Sequence, residues 1–437
     1  MILDRFPTYR ENVGFPVGLV IPIYRECEMP LIIWSSQKQH AGDQLMPFHT
    51  EDIAETKLNS IQDVADWISD TQRFLKRIPV AGVLEHGATF RDDEYLGDGD
   101  ALFHFNHPGF AALCQKLGCR QDLLDRLKTP ALPSQVLNDL LSQRDTRKAL
   151  ESDEFVIDER TGTIIGLVSK SYVTYSNDDM LTDITSRMGS LPQDDEMKFM
   201  DAYGINTALT VRFVSLRRHG TINGRGGQGE DRSELGLVFE NSMVGTSAVR
   251  INYFLHRLLC ANGMMIKAAE SVSRVFHAGR GDTFQKRLDR CFNEVVRNLS
   301  QLQAMLTSLG SLPFQPDQLA RNRVLTDQIF DIVPGTKLDL CQREDLFLRY
   351  PPEASTSERE SIRQAHDARL IKLIPLYLGR EHSNRVFTTG LRDGATLFDF
   401  VNVFTEYAKE QQPSTKLDIE ESAGALAKYF ASTAKQL

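Results

Sequence analysis

The chain has 437 residues, 41% hydrophobic and 25% charged, with a net charge of −9. That balance excludes a disordered polar chain and leaves room for two or three domains. Six cysteines, at 27, 114, 119, 260, 291 and 341, form no CxxC pair, a pattern that fits reduced thiols in a cytoplasm better than a secreted disulfide framework.

The first residues, MILDRFPTYRENVGF, carry charges instead of an apolar core, so no signal peptide is expected. No apolar run approaches the ~18 residues of a membrane span, so no membrane partner is expected either. Residues 15–35 hold the runs FPVGLVIPI and MPLIIW, broken by Pro22 and Pro30, which predicts short strands at a sheet edge. Over 51–78 the apolar positions Ile53, Leu58, Ile61, Val64, Ala65, Ile68 and Phe74 take helical spacing, with Asp63, Asp66 and Asp70 opposite. Residues 91–100, RDDEYLGDGD, read as an acidic loop.

Small helices are predicted through 108–142. Pro108 opens the first, Gly118 closes it, and Ser134 is a cap for the third. Residues 144–154 read as an exposed link and 155–167 as a hairpin around Arg160-Thr161-Gly162. A short helix starts at Asn177. Strands are expected at 207–216, 234–242 and 247–259, with a glycine-rich loop, GTINGRGGQGE, at 220–230. The best helix is 283–309, where Leu288, Cys291, Phe292, Val295, Leu299, Leu302, Met305 and Leu306 share a face. Further helices are expected near 316–332, 357–378, 395–411 and 417–433. The result is an α+β chain in three regions: mixed α/β at 1–150, a β-rich core domain at 151–280, and a helical region at 281–437.

Charge is unevenly spread. Residues 1–204 hold 20 Lys+Arg against 33 Asp+Glu, 205–300 hold 14 against 8, and 301–437 hold 16 against 18. A basic middle is either a footprint for a polyanion or a set of arginines paired with the acidic remainder.

The chemical motifs are thin. His104, His107, Cys114 and Cys119 have the ligand types of a zinc site without its spacing, and Cys114 falls on a core face beside Leu113 and Leu117. The loop at 220–230 has no P-loop lysine and precedes a strand, so it reads as a hairpin tip. The carboxylates Asp92, Asp93, Glu94, Asp98 and Asp100 read as a solvated loop. No hydrolase, metalloprotease or kinase signature occurs. No metal and no cofactor are expected. Tyr203, Phe213, Phe239, Tyr253 and Phe254 interleave with Arg212, Arg217, Arg250 and Arg257, a mixture that suits single-stranded nucleic acid, although any single ring is better read as filling the sheet core.

The run FENSMVGTSAVRINYFLHRLLCANGMMI, residues 239–266, carries Asn241, Ser242, Gly245, Arg257, Leu258, Cys260, Asn262 and Gly263. This pattern resembles the phage- and plasmid-borne proteins grouped as domain of unknown function 932. His277, Gly279, Asn402 and Thr405 extend the likeness, which spans roughly 100–432. The resemblance implies a mobile-element setting and no assigned activity. A fold-level likeness to single-strand annealing proteins implies DNA binding and a ring-like homo-oligomer. On this reading Arg212, Arg217, Arg218, Arg225, Arg250, Arg257 and Lys267 meet the backbone of single-stranded DNA, and Tyr253 or Phe254 stack on bases. The alternative is a non-enzymatic factor that binds a host or phage protein; a third is an enzyme whose site is assembled across domains. Asn262-Gly263 is read as a turn.

Overall fold

The structure is a computed structural model that describes residues 55–433, apart from the stretches 92–94, 99–100, 223–230, 246–247, 259–261, 269–272, 382–390 and 392–393 and positions 86, 125, 128, 130, 206 and 280. The strands expected within 15–35, the acidic-loop carboxylates Asp92, Asp93, Glu94 and Asp100, Arg225 and Cys260 lie outside the described residues, while Tyr95–Asp98, read as part of that loop, is a strand paired on both sides.

The chain begins with β1 (Glu55–Leu58), α1 (Ile61–Gln72), β2 (Leu75–Pro79), α2 (Val80–Glu85), β3 (Thr89–Arg91), β4 (Tyr95–Asp98) and β5 (Ala101–Phe105). Four helices follow: α3 (His107–Lys116), α4 (Gln121–Leu124), α5 (Ala131–Ser142) and α6 (Arg144–Leu150). The central part is β6 (Asp153–Asp158), β7 (Thr163–Ser169), α7 (Asn177–Gly189), β8 (Met197–Ile205), β9 (Ala208–Ile222), β10 (Asp231–Ser242), β11 (Val249–Arg257), β12 (Asn262–Ile266) and β13 (Arg274–Val275). It ends in α8 (Gly281–Asn298), α9 (Gln301–Ser311), α10 (Pro316–Leu319), α11 (Arg323–Asp331), α12 (Thr336–Arg343), α13 (Thr356–Glu381), α14 (Leu397–Ala408) and α15 (Pro413–Thr433). The expected α+β class, with a β-rich middle before a helical end, is what the chain forms.

Two sheets organise these elements. The large one runs β1-β8-β9-β10-β11-β12, antiparallel throughout, with β13 against β11. The small one runs β2-β6-β7-β5-β4-β3, antiparallel except for the parallel pair β5–β7. Strand alternation explains the large sheet's layering: Leu209, Val211 and Phe213 of β9 join a core with Phe239, Ile251, Leu288, Phe292 and Leu306, while Val214, Val238, Phe254 and Met265 pack with Leu417 on the opposite side. Helices α8 and α9 cover the first face and α15 the second. The small sheet has its own core around Phe90, Phe110, Leu137, Phe155 and Ile164, where Cys114 is buried and the Cys119 thiol donates to the Cys114 carbonyl at 3.5 Å.

Helix starts follow local chemistry. Ser176 and Asp179 form a reciprocal capping box on α7, and Thr396 and Asp399 form one on α14. Asn106 caps α3, and Gly118 beyond its end has φ +69°. Several expectations are corrected. The link at 144–154 is largely the helix α6, held by the buried Leu150 and by Arg147 donating to the Leu84 carbonyl. Ser134 sits inside α5 and is buried. The long helix at 283–309 breaks at Leu299–Ser300 into α8 and α9. Asn262-Gly263 is strand: Gly263 pairs with His256, and a Cβ there would meet the Phe254 ring and Glu420. The reversal lies one step earlier, between Arg257 and Asn262, which pair across it.

Candidate nucleic-acid interface

Arg212 and Phe254, both expected to meet single-stranded DNA, lie on the second face of the large sheet, which is interior at both positions. Arg212, in β9, is 1% exposed. Its Nε and Nη2 donate to the two Asp201 carboxylate oxygens at 2.5 Å, and its Nη1 donates to Glu420 of α15 at 2.8 Å. Nη2 also reaches the Tyr203 hydroxyl at 2.7 Å, and the guanidinium lies over the Tyr203 and Phe254 rings at 4.7 and 4.5 Å. Lys416 closes the network on Glu420 at 2.9 Å. Burial opposes the Asp201 charge, but the Arg212 guanidinium outweighs it and holds this carboxyl below the ordinary carboxylate range. Arg212 is therefore committed internally and meets no phosphate.

The two proposed stacking residues are also interior. Phe254 is fully buried in this face. Tyr253 points to the other face, into the apolar core, where burial pushes its phenol up. Neither ring offers a surface for a base. Arg250 is half-buried and opposite Glu240, whose carboxyl is pushed up by burial and by Glu421. Lys267 is ion-paired with Glu421. Arg257 lies 5.4 Å over the Phe398 ring.

The remaining candidates stand together at the distal end of the β9–β10 hairpin. Arg217 and His219 are exposed, as is Arg232 on the partner strand. Arg218 is ion-paired with Asp195. Lys198 bonds Glu234 at 2.8 Å, and Glu234 also contacts His256 Nδ1 at 3.0 Å. Burial disfavours the Glu234 charge, but these two partners prevail and hold its carboxyl down. Two leucines flank the cations, Leu216 at 43% and Leu258 at 45% exposure. The backbone N–H of Leu216 donates to Glu196 and that of Leu258 to Arg232, so strand hydrogen bonds hold both.

The run at 239–266 does other work. The Asn241 amide donates to the Tyr175 carbonyl at 2.9 Å and to Asn177 at 2.8 Å, and Asn177 donates to the Thr207 carbonyl. The Tyr172 hydroxyl donates to the Ser242 carbonyl. Gly245, at φ +77°, turns the chain beneath Val168 and Tyr172. His277 stacks on Tyr172 with ring centres 4.7 Å apart, and its Nδ1–H donates to the Val173 carbonyl. Asn402 and Thr405 are buried in α14, bonding back to their own helix. Apart from Asn402 and Thr405, these residues stitch the β7–α7 connection to the large sheet. A family model described as "Domain of unknown function (DUF932)" matches residues 164–429. The chain belongs to this family. The DUF932 region therefore starts in β7 and takes in the whole large sheet except β1, with the helices that cover it. The likeness expected between 100 and 163 falls outside that match. Neither the curated proteins nor the solved structures give a match.

Among the described residues no three His, Cys, Asp or Glu side chains gather as metal ligands, and no helix is long and apolar enough to cross a membrane. Sequence reasoning named Tyr203 and Arg212 but missed Asp201, Glu420 and Lys416. The one available signal was Glu420 on the same helical face as Leu417 and Gly424, a carboxylate within a packed stripe.

Proposed function

We propose that this DUF932 protein is a non-enzymatic binding protein that engages single-stranded nucleic acid through the distal end of its β9–β10 hairpin. The observation that carries this reading is the exposure of Arg217, His219 and Arg232 beside two exposed leucines at one end of the sheet. Cations there meet phosphates and apolar side chains take unstacked bases. The family resemblance adds a phage or plasmid setting; the separate fold-level likeness to single-strand annealing proteins adds a role in binding or annealing strands and a homo-oligomeric form, and the scattered cysteines add a cytoplasmic location.

The reading is tested by salt-titrated binding to single-stranded DNA. Three arginine contacts give a slope of log K against log salt of about −2, at −0.7 per phosphate. Replacing Arg217, Arg218 and Arg232 together by Gln should flatten it by about that amount. A variant that binds like the wild type refutes the reading.

A second reading, a factor that docks on a host or phage protein, is favoured by one observation. Arg218, Lys198 and Lys267 already face Asp195, Glu234 and Glu421. A phosphate would have to displace those carboxylates, whereas a protein surface of mixed charge would not. Salt-insensitive capture of a protein together with absent DNA binding would favour it.

A further inference from the structure

One helix outside the hairpin carries cations that have no ion-pair partner among the described residues. α8 buries Phe284, Leu288, Cys291, Phe292 and Val295 against the large sheet. Lys286, Arg290 and Arg297 are exposed on its other side, with Arg287, also exposed, on the flank. At about 100° per residue the first three fall within roughly 40° of one another, and at about 1.5 Å per residue they span about 17 Å. Among the described residues none of the four takes part in an ion pair. The acids of the helix do not cancel this stripe. Asp289 is bound by Arg187 at 2.6 Å, Glu294 is half-buried, and Asp282 stands one turn before Lys286.

The direction of the helix gives the stripe its meaning. Phe284 packs on Tyr175 and His277, at the Ser242 end of β10. Phe292 stacks on Phe239, further back along the strand. In α9, Leu306 lies under Gly220, and Gln303 donates to the Thr221 carbonyl at 3.5 Å. Thus α8 runs antiparallel to β10, α9 reaches the outer part of the β9–β10 hairpin, and the stripe ends toward the half of the hairpin that carries Arg217, His219 and Arg232.

We propose that α8 is a basic track that leads a single nucleic-acid strand along Lys286, Arg290 and Arg297 to the hairpin end. This rests on the hairpin reading given above. Charge complementarity selects the occupant: cations spaced along one line, without carboxylate partners, suit a regularly charged backbone. A strand long enough to cover both elements gains the helix contacts; a short one seated on the hairpin does not.

The test compares a short and a long oligothymidylate across salt, using the full chain. The variant Lys286→Gln/Arg290→Gln/Arg297→Gln keeps good helix formers at exposed positions, and its fold is checked by thermal melting. The salt slope for the long oligomer should fall by about 2, at −0.7 per lost contact, with little change for the short one. The hairpin variant should weaken both. An unchanged helix variant beside a weakened hairpin variant overturns the track alone. A wild type that binds neither oligomer overturns the track and the hairpin reading together. Displacement of the long oligomer by poly-glutamate at equal charge assigns the stripe to an acidic protein surface instead. Arg290→Glu alone, expected to weaken the long oligomer selectively, supplies the same comparison if the triple variant is unstable.

Discussion

On one face of the large sheet β9 places Leu209, Val211 and Phe213; on the other it places Thr210, Arg212 and Val214. The first face meets α8 and α9 through aromatic and aliphatic side chains that pack without directional demands. The second meets α15 through a guanidinium that bridges Asp201 and Glu420 at once, a geometry that admits one register. Both faces bury their side chains. The apolar face fixes that a helix covers the sheet; the charged face fixes which helix and at what height.

The largest effect should come from breaking the bridge. Arg212→Met strands two buried carboxylates and should cost about 3–5 kcal/mol in denaturant unfolding. Arg212→Lys should recover little of that, because a single ammonium cannot span both partners. Replacing Arg212, Asp201 and Glu420 together by apolar residues, with Lys416→Met to remove the partner of Glu420, should return most of the stability, since no unpaired charge is left. On the apolar face, Phe292→Leu should cost no more than about 1.5 kcal/mol. Equal losses for Arg212→Lys and Phe292→Leu would erase the difference between the faces.

A smaller effect tests the docking height. Gly424 of α15 lies so close to β12 that an added Cβ would overlap the Met265 carbonyl oxygen. Gly424→Ala should lower stability by about 1–3 kcal/mol by lifting the helix, despite the better helix propensity of alanine. A rise in melting temperature would show that α15 tolerates displacement.

The smallest effect separates the faces by pH. His277 packs on Phe284 at the apolar side, and burial holds its imidazole below the ordinary value of 6.5. The unfolded chain then takes up a proton that the folded chain does not, so stability falls as pH drops from about 6.5 toward the folded value. On the charged side the Asp201 carboxyl is lowered from 3.8, so its contribution is present above that value and is lost only as pH falls further. The wild type should lose some stability between about pH 7 and 5, and His277→Phe should remove that part while leaving the acid limb below about pH 4. An unchanged profile in the variant would show that His277 contributes nothing to the upper limb.

Much of this fold was written locally. The hairpin at 155–167, the strands at 207–216 and 234–242 and the helix from 283 are legible because alternation and helical spacing are set by neighbouring residues. The basic character of residues 205–300 and the family motif are equally plain in the sequence. What only the tertiary structure decided is where each charge goes. Arg212 meets Glu420 across 208 residues of chain, and Arg218 meets Asp195 across a strand connection, so arginines of one basic segment divide into an interior bridge, paired surface residues and exposed cations. Tyr253 and Phe254 are neighbours that a sheet sends to opposite faces, and both faces are covered. The physical reason is range: hydrogen-bonded periodicity is a property of a few adjacent residues, while the burial of a charge depends on which distant carboxylate the finished packing brings to it.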